Sequence, residues 1–124
     1  MQDLLLITFA AAFGANIRFS IYKKLEKKKL SKYSIILLIN TSSSFLLGLF
    51  LALASQISSL SHSYKLGLFF SIGILGSLST FSTFIYDLYE LLTQSKFTRA
   101  FKISLLSLTL GILCFAFGLL LGMQ

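Results

Sequence analysis

Four long apolar stretches, separated by shorter polar connections, dominate the pattern of this chain. They cover residues 4–22, 34–54, 66–92 and 103–121. Each stretch reaches or exceeds the roughly 17–25 residues that an α-helix needs to span a bilayer. We therefore predict an all-α integral membrane protein, in which residues 1–124 form a single domain of four transmembrane helices.

A polar, glycine-bearing interruption lies inside the third stretch, at residues 73–84 (GILGSLSTFSTF). Lipid offers no hydrogen bonds, so irregular backbone at that depth persists only where it is buried in protein or lines a wet cavity. Freed carbonyls and half-helix ends at such breaks hold ions in transport proteins. The sequence therefore predicts a third helix that is broken near residues 76–79, with an ion site at the break.

The charges are few and unevenly placed. Only 12% of the residues are charged, against about 25% in soluble domains. The net charge of +7 would suit a nucleic-acid partner, but its distribution argues against one. Nine of the 11 Lys and Arg residues lie between the first two or the last two stretches, on one side of the membrane, and Lys65 lies on the other. The positive-inside rule places the lysine-rich side in the cytoplasm and both termini outside.

The sequence contains no catalytic constellation. His62 is the single histidine and Cys114 the single cysteine, so neither a His/Cys metal cluster nor an intrachain disulfide is available. No phosphate-binding glycine loop of the P-loop type is present. We predict that the protein is not an enzyme and binds no nucleic acid.

Neutral hydrogen-bond donors lie deep in the apolar stretches. Asn40 and Ser44 share one face of the second helix with Gly48 and Ala52, because all four are spaced by four residues. Two interpretations stay open for Asn40: polar contact between helices, or a donor that lines a pore. The other donors lie after the break, at Thr80, Ser82 and Thr83.

Phe81 and Phe84 add two aromatic rings one helical turn apart. Ring edges carry partial positive charge and can stabilise an anion without binding it tightly, and weak binding at several sites is what conduction requires. The donors and rings together favour an anion over a cation. Asp87 and Glu90 follow on the same helix, and we expect them to be solvated acids near its end.

Three motifs in order resemble the small fluoride channels called Fluc or CrcB proteins. Residues 80–84 (TFSTF) resemble the signature of the family's third helix, residues 40–48 (NTSSSFLLG) that of the second, and residues 14–18 (GANIR) that of the first. The resemblance covers the whole chain. It implies a channel subunit in a bacterial or archaeal inner (plasma) membrane, through which cytosolic fluoride leaves passively.

The resemblance also implies roles for individual residues. Family members form antiparallel dimers with two pores and a central structural Na⁺, which the backbone carbonyls of Gly76 and Ser79 would share with a second subunit. Arg18 would lie in a vestibule, although snorkelling to the interface is an equal alternative. The residues expected along the fluoride pathway are Asn40, Ser44, Phe81, Ser82, Thr83 and Phe84.

The chain departs from the family pattern at a few positions. Ser77 and Ser43 replace glycines, Ser79 replaces a threonine, and the fourth helix has no clear counterpart of a frequent tyrosine. Carbonyl coordination needs no particular side chain, so these changes leave the Na⁺ site possible. Ser77 would make an unwound turn costlier if its φ were positive.

The strong charge bias bears on the partner. An antiparallel homodimer needs one chain to insert in both orientations, which a weak Lys/Arg bias allows. We expect this chain to insert one way and to pair with a related subunit of opposite orientation, a homodimer remaining the alternative. Two other functions stay open: a small four-helix drug/proton antiporter, which would need an acid in mid-membrane, and a non-conducting partner subunit of a heterodimeric channel.

Overall fold

A computed structural model describes residues 2–56 and 63–124, and throughout those ranges the regular structure is helical. The third span consists of two helices, and the first of these runs on through three segments. The helices are α1 (Gln2–Lys27), α2 (Lys32–Gln56), α3 (Ser63–Gly67, Leu68–Leu75 and Gly76–Leu78), α4 (Phe81–Thr93) and α5 (Phe97–Gly122). His62 lies outside the described residues.

The four-helix prediction is confirmed. Four helical stretches are long and apolar enough to cross a membrane: Gln2–Lys27, Lys32–Gln56, Lys65–Thr93 and Phe97–Gly122. The helices extend beyond the apolar stretches, because lysine and arginine are good helix formers whose charged heads can reach the interface while their stems stay apolar. Lys29 (φ 59°) and Ser95 (φ 57°) adopt the left-handed conformation just after α1 and α4, where such residues commonly close a helix.

α2 and α5 run parallel to each other with their backbones in close contact. A Cβ atom on Gly48 of α2 would overlap the Phe115 carbonyl oxygen of α5, and one on Gly118 of α5 would overlap the Phe45 carbonyl oxygen of α2. Backbone therefore meets backbone in both directions. Such approaches are what small residues permit between membrane helices.

α1 packs in the same way against α3. Gly14 faces the Ile74 carbonyl and the Ser77 side chain, and Gly73 faces Ala10. The contact falls on Leu68–Leu75, which is a π-helix, wider than an α-helix. At its end the Gly76 N–H donates to both the Ser71 and the Gly73 carbonyls. π-helical turns of this kind are frequent at functional sites.

The third span breaks at Ser79 and Thr80, at the far end of the predicted interval. Gly76 is helical (φ −63°, ψ −35°), whereas Ser79 (ψ 150°) and Thr80 (φ −137°, ψ 106°) are extended. The two glycines of the motif do not unwind the chain. Gly73 lies within the π-helix, and Gly76 begins the α-helical turn that follows it. Ser77 is helical without a positive φ, so the strain that its replacement of glycine would cause does not arise.

Candidate functional site

An open groove of about 720 Å³ lies where the break meets α2 and α5. Asn40 and Ser44 of α2 form one side, and the break and the start of α4 form another. Its lining residues are Asn40, Ser44, Ser79, Thr80, Phe81, Phe84, Phe101, Ser104, Leu105, Ser107, Leu108, Gly111, Ile112 and Phe115. The groove thus brings together the amide, one hydroxyl and both rings that the sequence predicts for an anion pathway.

Asn40 holds the broken backbone in place. Its Oδ1 accepts a hydrogen bond from the Thr80 N–H at 2.9 Å, and its Nδ2 donates to the Thr80 carbonyl at 3.4 Å. The contact with another helix, which was one of the two interpretations, is therefore present; Asn40 also lines the groove, and its role as a pore-lining donor stays a prediction. A buried peptide group outside a helix needs such partners, and Thr80 is only 5% exposed.

Thr80 caps α4 with its side chain. Its Oγ1 accepts from the Thr83 N–H at 3.4 Å and lies 2.9 Å from the Thr83 hydroxyl. Threonine is a favoured N-cap residue because its oxygen satisfies one of the free N–H groups of the first turn. The hydroxyl of Thr83 is therefore engaged with Thr80, and Thr83 does not line the groove.

Because the Thr80 N–H bonds to Asn40, the Gly76 carbonyl lacks its usual helical donor. In a continuous α-helix the Thr80 N–H would donate to the Gly76 carbonyl, but here it donates to Asn40. The Ser79 hydroxyl donates a hydrogen bond to the Gly76 carbonyl at 3.4 Å. Gly76 itself is exposed on the surface, three residues before the break.

Phe81 and Phe84 stand at the groove as a tilted pair. Their ring centroids lie 6.5 Å apart with 42° between the planes. Phe81 is 76% exposed and Phe84 is half-buried. Rings that do not stack face to face leave edges available to a ligand.

Three other predicted residues lie away from the groove. Ser82 is exposed on α4, Arg18 is half-buried midway along α1, and Gly76 belongs to α3; none of them lines the groove. α5 supplies instead Ser104, Ser107 and Gly111. Their spacing of three and four residues marks one face of a helix, and this spacing was the available signal for a polar wall on the fourth span.

Asp87 is buried rather than solvated, so that prediction is wrong. Only 5% of the residue is exposed. Lys32, the first residue of α2, covers it: the Lys32 Nζ lies 3.7 Å from Asp87 Oδ1 and also pairs with Glu90 Oε2. Glu90 remains partly exposed. The sequence gives no hint of this contact because 55 residues separate Lys32 from Asp87 along the chain.

Comparison with protein families identifies the family of this chain. Residues 5–119 match the family described as CrcB-like protein, Camphor Resistance (CrcB). The chain belongs to the CrcB family. It is accordingly a multi-pass membrane protein.

Individual relatives of this CrcB-family chain extend along its whole length. It is 52% identical over 124 residues to "Fluoride-specific ion channel FluC 2" of Prochlorococcus marinus strain NATL2A, covering 100% of both chains. It is 37% identical over 121 residues to "Fluoride-specific ion channel FluC" of the archaeon Ignicoccus hospitalis, covering 95% and 93%. "Fluoride-specific ion channel FluC 1" of Parasynechococcus marenigrum is 34% identical, with 97% and 93% covered.

Proposed function

We propose that the chain is a subunit of a fluoride channel that lets cytosolic fluoride leave the cell passively. The observation that carries the proposal is the groove in which Asn40, Phe81 and Phe84 meet beside a broken helix. The relatives named as fluoride-specific channels support the choice of ion. The protein acts as a channel and not as an enzyme, in the inner membrane of a bacterial or archaeal cell.

The groove suits the passage of an anion because its polar groups are neutral donors. The hydroxyls of Ser44, Ser104 and Ser107 can replace part of an ion's hydration shell. The edges of Phe81 and Phe84 add weak positive potential. None of these groups carries a full charge, so an anion is bound weakly enough to move on. Of the remaining pathway candidates, Ser82 and Thr83 would serve from beside the groove.

A second subunit completes the pathway in this proposal. The groove is open, and Phe81, Phe101, Leu105, Leu108 and Ile112 leave apolar side chains exposed along it. An antiparallel partner would cover this face and close two grooves into two pores related by an approximate twofold axis. Lipid alone would leave the polar groups of the groove facing hydrocarbon, which is costly.

A structural Na⁺ at the centre of the dimer fits the donor set of the break. Hard cations such as Na⁺ are bound by oxygen ligands, and unwound helix ends supply them as carbonyls. The Gly76 carbonyl has lost its helical donor to Asn40, and the Ser79 carbonyl precedes the cap of α4, whose Thr83 N–H bonds to Thr80. Two carbonyls from each subunit would hold the ion, which when bound draws the two breaks together.

The partner is a related chain of opposite orientation rather than a second copy. This proposal rests on the nine Lys and Arg residues at one side of the membrane against Lys65 at the other. The numbers 1 and 2 in the relatives' names agree with paired subunits. Cysteine accessibility of a Lys28→Cys variant, in a Cys114→Ser background, should show labelling from the cytoplasmic side only, with the termini outside. Equal labelling from both sides would favour the homodimer.

Fluoride efflux from liposomes tests the channel proposal. We expect efflux when the chain is reconstituted with its oppositely oriented relative, and chloride efflux that is far slower. Efflux from the chain alone would show that a homodimer conducts and would remove the need for a second subunit. The absence of fluoride efflux from every pairing would overturn the channel proposal and leave a non-conducting subunit.

A further inference from the structure

A second, much smaller cavity continues from the groove toward the lysine-rich end of the molecule. Its lining residues are Tyr33, Ile36, Leu37, Phe84, Asp87, Ile103 and Ser107. Phe84 and Ser107 line the groove as well, so the two cavities adjoin across these side chains. The Asp87 carboxylate therefore lines a cavity that adjoins the groove at Phe84 and Ser107.

The carboxylate of Asp87 is an unfavourable neighbour for an anion. It is buried, and among the described residues its Oδ2 atom has no hydrogen-bond partner. Water screens a surface carboxylate, but the field of a buried one extends further because the surrounding dielectric is low. An uncompensated Asp87 would repel any anion that reached Phe84 or Ser107.

Lys32 supplies the compensating charge. Its ammonium lies 3.7 Å from Asp87 Oδ1 and pairs more closely with Glu90, a carboxylate that is itself partly exposed to solvent. The same ammonium lies 5.2 Å from the Tyr33 ring centroid, and the Arg99 guanidinium lies 5.4 Å from it. Tyr33 also lines the small cavity. Within residues 2–56 and 63–124, Lys32 is the cation in ion-pair distance of Asp87.

We propose that Lys32 is a positioning residue for conduction, which neutralises Asp87 beside the pathway so that an anion can pass Phe84 and Ser107. This inference rests on the proposed channel function. Lys32 acts through Asp87 and need not touch the ion. We therefore expect fluoride efflux to slow when the lysine is removed, and to recover when the charge of the aspartate is removed as well.

Fluoride efflux of four variants tests this expectation, with the wild-type pairing as reference. Lys32→Met should slow efflux by roughly tenfold or more, since an unscreened charge a few ångströms from the path raises the barrier by more than the thermal energy. Lys32→Arg should stay within about twofold of wild type because the charge is kept. Lys32→Met combined with Asp87→Asn should recover most of the lost rate, and Asp87→Asn alone should conduct.

Lys28→Met is the matched control. Lys28 is exposed in the turn after α1, lies at the same end of the molecule, and forms no ion pair among the described residues. It loses the same charge from the same surface, so a general effect on the local anion concentration would slow both variants alike. Equal efflux from Lys32→Met and Lys28→Met would overturn the proposal, as would a double variant that is as slow as Lys32→Met.

Thermal unfolding of the same variants in detergent measures the interaction of Lys32 with Asp87 independently of conduction. We expect Lys32→Met to unfold at a lower temperature than Lys28→Met, and Asp87→Asn to raise that temperature again in the Lys32→Met background. A wild type that fails to conduct in any pairing would overturn the channel function, whereas absent coupling in the unfolding data would overturn the neutralisation of Asp87 by Lys32.

Discussion

The side chain of Asn40 and the backbone of Thr80 form a reciprocal pair, with one hydrogen bond to the N–H group (2.9 Å) and one to the carbonyl (3.4 Å). A side-chain amide can bond to both backbone groups of one residue in this way, because it carries an acceptor for the N–H and a donor for the C=O. The 2.9 Å bond replaces the helical acceptor that the Thr80 N–H loses at the break. A single residue on α2 thus stabilises an irregular segment of the third span.

Replacement of Asn40 should disrupt both the break and conduction. In Asn40→Ala the N–H of the buried Thr80 loses its acceptor, which costs about 1–3 kcal/mol for an unsatisfied group. We expect a lower unfolding temperature in detergent and fluoride efflux reduced by about tenfold or more. Asn16→Ala is the control, because Asn16 is exposed and bonds only to the Ala12 carbonyl of its own helix. Wild-type efflux from Asn40→Ala would contradict the prediction.

The aromatic edges of Phe81 and Phe84 should contribute to the rate of fluoride efflux. Phe81→Ile and Phe84→Ile keep an apolar side chain but remove the aromatic edge, whose interactions contribute about 0.5–1.5 kcal/mol. We expect each change to slow fluoride efflux about two- to tenfold without a change in unfolding temperature. Phe13→Ile, an exposed phenylalanine on α1 away from the groove, should conduct like the wild type. If all three variants conducted equally, the rings would have no part in the pathway.

The close approach of α2 and α5 should make Gly48 intolerant of a methyl group. The Cβ atom in Gly48→Ala would overlap the Phe115 carbonyl oxygen, and such overpacking costs about 1–3 kcal/mol. Gly67→Ala is the matched control, since a Cβ there meets no atom within 4 Å and alanine favours a helix by about 0.5–1 kcal/mol. Thermal unfolding should separate the two variants; similar midpoints would argue against backbone contact at Gly48.

Removal of Na⁺ should weaken the association of the two subunits. Exchange of Na⁺ for a bulky organic cation would leave the Gly76 and Ser79 carbonyls facing one another without a ligand, and such carbonyls repel. We expect more monomer in size-exclusion chromatography after the exchange, and recovery of the dimer on return of Na⁺. Ser79→Ala should keep this Na⁺ dependence, because the proposed ligand is the carbonyl. A dimer that is indifferent to Na⁺ would remove the ion from the proposal.

The sequence predicts the four spans and the groups at the groove well, because both depend on local pattern. Apolar length defines a membrane helix, and the motif at residues 80–84 places the rings one turn after the break. The exact position of the break was less predictable. Gly73 lies in a π-helix on which α1 packs, a tertiary contact that no local pattern encodes, and Gly76 stays helical directly after it.

Contacts between distant residues explain the other differences. Asp87 looks like a solvated acid near a helix end, and only the fold brings Lys32 over it. Ser104 and Ser107 are recognisable as a polar helix face, but their place in the groove depends on how α5 packs against α2. Charge and packing at a site depend on which helices are neighbours, and this information lies outside any single stretch of sequence.

The reciprocal contact at Gly48 and Gly118 has a mechanical consequence for the groove. α2 and α5 carry two of its walls, and their backbones touch, so the distance between those walls is fixed. α4 carries Phe81 and Phe84 and makes far fewer contacts with either helix. The groove therefore has two walls at a fixed separation and a third that is packed more loosely, and the Asn40–Thr80 hydrogen bonds tie the start of that third wall to α2.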